Sequence, residues 1–258
     1  MKRIFSLLSV LSVMLCANAQ FVQQDSVQVY SVAQADSAYI QGDWLTAIGM
    51  YEDIIENQGV NPTLYMNLGN AWLKMDEVAK AILYYERAYL LDPSDDDIKF
   101  NLELARTKTV DKVNPVNELF IVVWFKKALA VLDVDGWGMV AVAAFILTLV
   151  LLGFFLFSKK MGIRKISFCF SAIFFVLSIL SYIFATTQMG NIRNRDTAII
   201  MSPSVTVKST PSSGGTDLFI IHEGRKVQIL DASMKEWVEI SLEDGNTGWV
   251  PVNVMEII

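Results

Sequence analysis

The chain has 258 residues, a formal net charge of −6, 53% hydrophobic residues and only 19% charged ones. That is too apolar for one water-soluble domain and too acidic for a protein that grips nucleic-acid phosphates, which need clustered Lys and Arg. Two Cys exclude a disulfide framework, and a single His leaves no room for a multi-His metal site. The apolar excess must therefore be concentrated in particular segments.

Residues 1–19 hold the first of them. Lys2 and Arg3 precede an apolar run from Ile4 to Cys16, and Ala17-Asn18-Ala19 gives a small-x-small cleavage site. This pattern predicts a secretory signal peptide. Leu15 stands before Cys16 where a lipidation site needs a small residue, so no lipid attachment is expected.

Residues 20–110 carry 6 basic and 14 acidic residues and repeat with a period of 34. Ala47, Ile48 and Tyr51 match Ala81, Ile82 and Tyr85. From Pro62 to Pro93 one unit places Tyr65, Leu68-Gly69, Trp72, Ala81, Tyr85 and Ala88 at fixed intervals. Small residues there let two helices touch, and large aromatics fill the gaps between them. The pattern resembles the tetratricopeptide (TPR) repeat. Asn61-Pro62 predicts a helix start and Asp92-Pro93 a helix stop. Ala35, Gly42 and Asp43 mark a more degenerate unit upstream. Ser94 is expected to cap a last helix through Asn101-Leu102, giving five helices in all. The resemblance implies a peptide-binding groove lined by the first helix of each pair. Met66, Asn70, Leu73 and Lys74 would face it, with Asn67 and Asn101 beside it.

Residues 111–135 read as a linker and an interfacial amphipathic helix. Phe120, Val123, Trp124 and Lys127 fall at helical spacing within Glu118–Leu132, which is too short and too charged to cross a bilayer. Residues 136–157 and 166–186 are uncharged from Trp137 onward and from Ile166 onward, each about 30 Å long as a helix. They predict a two-helix transmembrane hairpin. The 158–165 loop between them carries Lys159, Lys160, Arg164 and Lys165 and no acid, so it is expected in the cytoplasm, with both flanks outside. Cys169 lies within the second span.

Residues 187–258 change to a strand period. Ala198–Met201, Val205–Lys208, Leu218–Ile221, Lys226–Leu230 and Trp237–Leu242 are short β-rich runs. Asp244-Gly245-Asn246 signals a hairpin before Gly248-Trp249-Val250-Pro251. This predicts a small β-barrel. The order resembles a bacterial SH3 domain, carried by Val205-x-Val207, Phe219, His222-Glu223-Gly224, Trp237-Val238-Glu239-Ile240 and Gly248-Trp249-Val250-Pro251. The resemblance offers Trp237 and Pro251 as a groove, with Phe219 and Trp249 expected in the core and His222 at a turn. Val254 stands where eukaryotic SH3 domains usually place a groove Tyr.

The expected fold class is thus a multidomain membrane protein: an all-α TPR helical repeat, a transmembrane hairpin and an all-β SH3-like barrel. That order resembles the BatE-type proteins of the Bat aerotolerance operon of Bacteroidetes. The Asp97-Ile98 to Asn101-Leu102 helix, Asp135-Gly136-Trp137 and the barrel tail carry the likeness. It implies an inner-membrane scaffold whose partners are other membrane proteins, including von Willebrand A-domain proteins, alongside the lipid bilayer. The alternative is a peptidoglycan-binding or envelope-sensing protein acting through the SH3-like domain. No catalytic set, cofactor motif or metal-ligand cluster is visible, so neither catalysis, cofactor nor nucleic-acid binding is expected.

Overall fold

The computed structural model describes residues 30–112 and 119–258. The expected signal peptide (1–19) and Glu118, at the head of the expected interfacial helix, lie outside the described residues. Five helices come first: α1 (Val32–Ile40), α2 (Trp44–Gln58), α3 (Pro62–Lys74), α4 (Val78–Leu91) and α5 (Asp96–Thr107). Their ends follow from local chemistry. The Asp43 and Asn61 side chains accept the backbone N–H groups of Thr46 and Leu64 at 3.3 and 2.8 Å, satisfying donors that a helix start leaves open. At α5 the cap is Asp95, not Ser94. Asp95 accepts from Asp97 and Ile98, while Ser94 is taken up by the Asp92 carboxylate. A carboxylate is at least as good a cap as a hydroxyl and also complements the positive helix end.

Helices α3 and α4 meet at Gly69. A Cβ on Gly69 would stand 2.7 Å from the Tyr85 ring, so only glycine lets that ring lie against the α3 backbone. Tyr85 is fully buried, and the aligned Tyr51 is equally closed one repeat earlier.

Helix α6 (Phe120–Leu129) has no buried residue, and Phe120 and Trp124 are exposed. Its end is clasped to the two long helices, α7 (Val134–Phe157) and α8 (Met161–Asn194). The Gln188 amide donates to the carbonyls of Leu129 and Leu132 at 2.7 and 2.8 Å, and the Trp137 indole donates to Leu129 O at 3.0 Å. The Phe184 ring sits edge-on to both Phe125 and Trp137. Both α7 and α8 are long and apolar enough to cross a membrane. They pack through small and hydroxyl residues, with Ser171 Oγ donating to Thr148 O and Ser178 Oγ to Ala141 O at 3.3 and 2.9 Å. Large side chains such as Phe145, Leu149 and Phe175 point outward. The connection is shorter than the sequence suggests. Only Ser158–Lys160 lie between the helices, so Lys159 and Lys160 are in the loop while Arg164 and Lys165 ride on the first turns of α8.

α8 leads almost directly into a seven-stranded antiparallel sheet in the order β3-β2-β6-β5-β4-β1-β7. The strands are β1 (Thr197–Ile200), β2 (Ser204–Lys208), β3 (Asp217–His222), β4 (Lys226–Asp231), β5 (Trp237–Ser241), β6 (Thr247–Pro251) and β7 (Met255–Ile257). Ala198, Ile200, Val205, Val207, Ile221, Val238, Ile240 and Val250 form its core, with Phe219 and Val254 packed against it. Trp249 is not part of that core. The two-residue period of β6 turns Gly248 and Val250 inward, which leaves Trp249 half-buried on the outer side. Gly248 has no room for a larger group, since a Cβ there would meet Val207 at 2.5 Å. The last strand, β7, has no counterpart among the predicted runs. It is three residues long and pairs only with β1.

Candidate functional site

Three surfaces bring functional residues together: the first-helix face of the repeats, the outer side of β5 and β6, and the junction of helices and sheet.

On the first face the period of 34 reappears as hydrogen bonds. Tyr51 donates to Asp36 Oδ1 at 2.5 Å, and Tyr85 donates to Asn70 Oδ1 at 2.7 Å. Asn67 donates to the same Asp36 oxygen at 3.2 Å, and Asn101 to the same Asn70 oxygen at 3.3 Å. Each bond recurs one repeat later between aligned residues, so Asn67 and Asn101 clasp successive first helices. Burial raises the pKa of both tyrosines, and for Tyr51 the bond to Asp36 raises it further, so both stay protonated donors. A shallow hollow of about 250 Å³ opens there, lined by Asp36, Tyr39, Ile40, Tyr51, Asn67 and Asn70. Of the residues expected in the groove, Asn67 and Asn70 line it. Met66 and Leu73 are half-buried against a core cluster with Leu102 and Ala105, and Lys74 is exposed. Asp36 and Tyr39 belong to the hollow but were not expected there. Their signal was the alignment of Asp36 with Asn70 at the period of 34.

On the sheet, Trp237 pairs with Pro251, and Glu239 with Trp249. All four lie on the outward, half-buried side of β5 and β6. Trp237 and Trp249 are therefore diagonal neighbours on one face, roughly 7–8 Å apart at the backbone. Trp249 joins Trp237 and Pro251 because strand alternation put it outside.

The third surface was not expected at all. Sheet and repeats are in direct contact. Ile199 on β1 turns away from the core of the β module and, with Ile258, joins Ala81, Ile82, Tyr85 and Leu102 in one apolar cluster. β1 is thus buried on both sides, which explains why Ala198-Ile199-Ile200-Met201 is a continuous apolar run rather than an alternating one. At the centre lies Glu86, only 2% exposed. It receives Arg106 from α5 at 2.5 Å and Lys226 from β4 at 2.8 Å. Burial alone would push its carboxyl up, but Lys226 and Arg106 outweigh that and hold it below the ordinary value. Burial likewise opposes the charge on Arg106, and Glu86 again prevails and raises its pKa. Around this centre Arg87 donates to Glu256 and to the Ile257 carbonyl at 3.0 and 2.6 Å. Asp111 takes the His222 backbone N–H at 2.8 Å and meets its ring Nδ1 at 2.7 Å. His222 does more than bound a turn, because its ring and amide reach across to the helical module.

Gly224 seals the contact. Its φ is +78°, a conformation side chains resist, and a Cβ would stand 2.7 Å from Thr109 and 3.0 Å from Ile82. Gly224→Ala is therefore expected to cost about 2 kcal/mol, from backbone strain plus a methyl wedged into the joint. Chemical denaturation checks this, and an unchanged midpoint would show that the loop does not press on the helices.

The comparisons with known families agree with two of the modules. A model of the tetratricopeptide repeat matches residues 62–95. A model of the bacterial SH3 domain matches residues 203–254. No curated protein matches the chain.

Proposed function

We propose that this chain is a non-enzymatic scaffold of a bacterial inner membrane. Its hairpin α7–α8 anchors it, and the TPR and SH3-like modules bind partner proteins outside the cytoplasm, in a complex of the Bat type that includes von Willebrand A-domain proteins. One observation carries this reading. Two modules of kinds that bind peptides and proteins are joined back to back through Glu86, and the joint leaves both the Asp36–Asn70 hollow and the Trp237–Trp249 face open. The same contact supports the expected topology. Domains on opposite sides of a membrane could not touch, so a hairpin with both flanks on one side fits it. The cations Lys159, Lys160, Arg164 and Lys165 at the hairpin tip favour the cytoplasm for that end.

Two measurements test the reading. With Cys169 replaced by Ala, a Cys at Ser213 is expected to react with a membrane-impermeant thiol reagent in intact spheroplasts, and a Cys at Lys159 only after lysis. The reverse pattern would sink the orientation. A photocrosslinking residue at Tyr39 should capture a defined membrane-protein partner in cells. Recovery of the chain alone from that position and from Trp249 would reject the scaffold. The second reading, binding of peptidoglycan, is favoured by two indoles and Pro251 on one side of the sheet, a surface that suits stacking on sugar or peptide. Sedimentation with purified sacculi, lost on Trp237→Ala and Trp249→Ala, would support it.

A further inference from the structure

Between the end of α5 and the loop joining β3 to β4 lies a cavity of about 370 Å³. The loop Glu223-Gly224-Arg225 is pressed onto the helices by the Asp111–His222 contact on one side and by the Gly224 approach on the other. Arg225 is consequently delivered into the cavity wall. The residue as a whole is only 8% exposed, its guanidinium nitrogens keep contact with solvent, and among the described residues they have no hydrogen-bond or ion-pair partner.

A cation whose stem is buried and whose guanidinium meets only the water of a cavity is placed to take an anion from that water. The neighbouring charges do not meet the need. Arg106 is spent on Glu86 and on the lining Glu103, Lys226 on Glu86, and Asp111 on His222. Lys112 donates to the carbonyls of Thr107 and Thr109 at 3.0 and 3.3 Å, which leaves its charge without an acid. Glu243 reaches the rim but is exposed and does not close on Arg225. Arg225, with no acid partner, and Lys112, whose ammonium meets only carbonyls, therefore face a space that already holds carboxylates, a balance that suits one negative charge better than two.

We propose that this cavity is a carboxylate-binding site in which the Arg225 guanidinium holds the free C-terminus of a partner polypeptide through its two-pronged geometry, with Lys112 beside it. The proposal deepens the protein-binding reading above and rests on it for the source of the carboxylate. It names the joint between the modules, rather than either open face, as the place where a chain end is read.

The test uses the full chain in nanodiscs, with N-acetyl-alanyl-alanine as probe and its C-terminal amide as control, followed by equilibrium dialysis. The acid is expected to bind with a dissociation constant below about 1 mM and the amide at least about tenfold more weakly. Arg225→Met, which keeps the buried stem, should lose binding by a similar factor at an unchanged melting temperature. If that variant fails to fold, Arg225→Lys and the acid–amide comparison in the wild type decide. Equal binding of acid and amide, stronger competition by inorganic phosphate than by acetate, or binding that appears only in Glu243→Gln would each overturn the proposal. The last result would make Glu243 the native partner of Arg225. Failure of the crosslinking experiment rejects the scaffold reading, whereas this titration decides the carboxylate site independently.

Discussion

Glu86→Gln is expected to destabilise the joined helical and β modules by about 3 kcal/mol and to split their unfolding into separate transitions. The reasoning starts from the asymmetry of buried ion groups. Removing one member leaves the others without compensation, which costs about 3–5 kcal/mol in well-buried cases. Arg106 and Lys226 are each about one-third exposed and can recover some water, and Arg106 keeps Glu103 at 2.8 Å, which places the figure at the lower end. Replacing all three together (Glu86→Leu, Arg106→Met, Lys226→Met) should restore most of the loss, because no stranded charge remains. The pH dependence follows with a definite sign. The carboxyl of Glu86 is held below its ordinary value of 4.5 in the folded state. Its contribution is therefore fully present above the unfolded value and lost as pH falls through the lower folded one. Denaturant titrations between pH 7 and pH 3 should show the wild type losing stability toward acid, and Glu86→Gln losing less. A variant with an unchanged slope and midpoint would show that the triad does not hold the modules together.

Tyr85→Ala should cost more, about 4 kcal/mol, in the range for a large ring removed from a closed core. The ring lies against the Gly69 backbone at the crossing of α3 and α4 and also reaches the cluster shared with Ile199. Its loss opens a cavity at both the repeat core and the module joint. Tyr85→Phe isolates the hydroxyl and should cost only about 1 kcal/mol, the usual worth of one hydrogen bond. Asn70 would still accept from Asn101. Equal effects of the two substitutions would mean that the ring packs less tightly than the Gly69 approach implies. Circular dichroism during urea unfolding measures both.

Much of this was legible because it rests on local rules. The period of 34 that aligns Tyr51 with Tyr85 also aligns Asp36 with Asn70 and Asn67 with Asn101, so a ladder of hydrogen bonds is implicit in the repeat. The helix starts at Asp43 and Asn61 and the hairpin at Asp244-Gly245-Asn246 are set by residues within four positions of one another. The misses have equally local causes. Ser94 and Asp95 are both competent caps, and only the position of Asp92, which takes the serine hydroxyl, decides between them. Trp249 reads as core by size, yet strand alternation faces Gly248 and Val250 inward.

The amino-acid sequence by itself determined the modules, their order and the apolar hairpin, because periodicity, caps and long uncharged runs act over distances of a few residues. Only the tertiary structure decided that the helical repeats and the β-sheet form one body. That decision depends on Glu86 meeting Lys226, 140 residues further along, and on Asp111 meeting His222. No periodicity records such pairs. Burial then decides their strength, since an ion pair that would count for little in water becomes a fastening once solvent is excluded. The excess of apolar residues along the chain reports the two helices that are long and apolar enough to cross a membrane. The few charged residues hidden between modules report where they join.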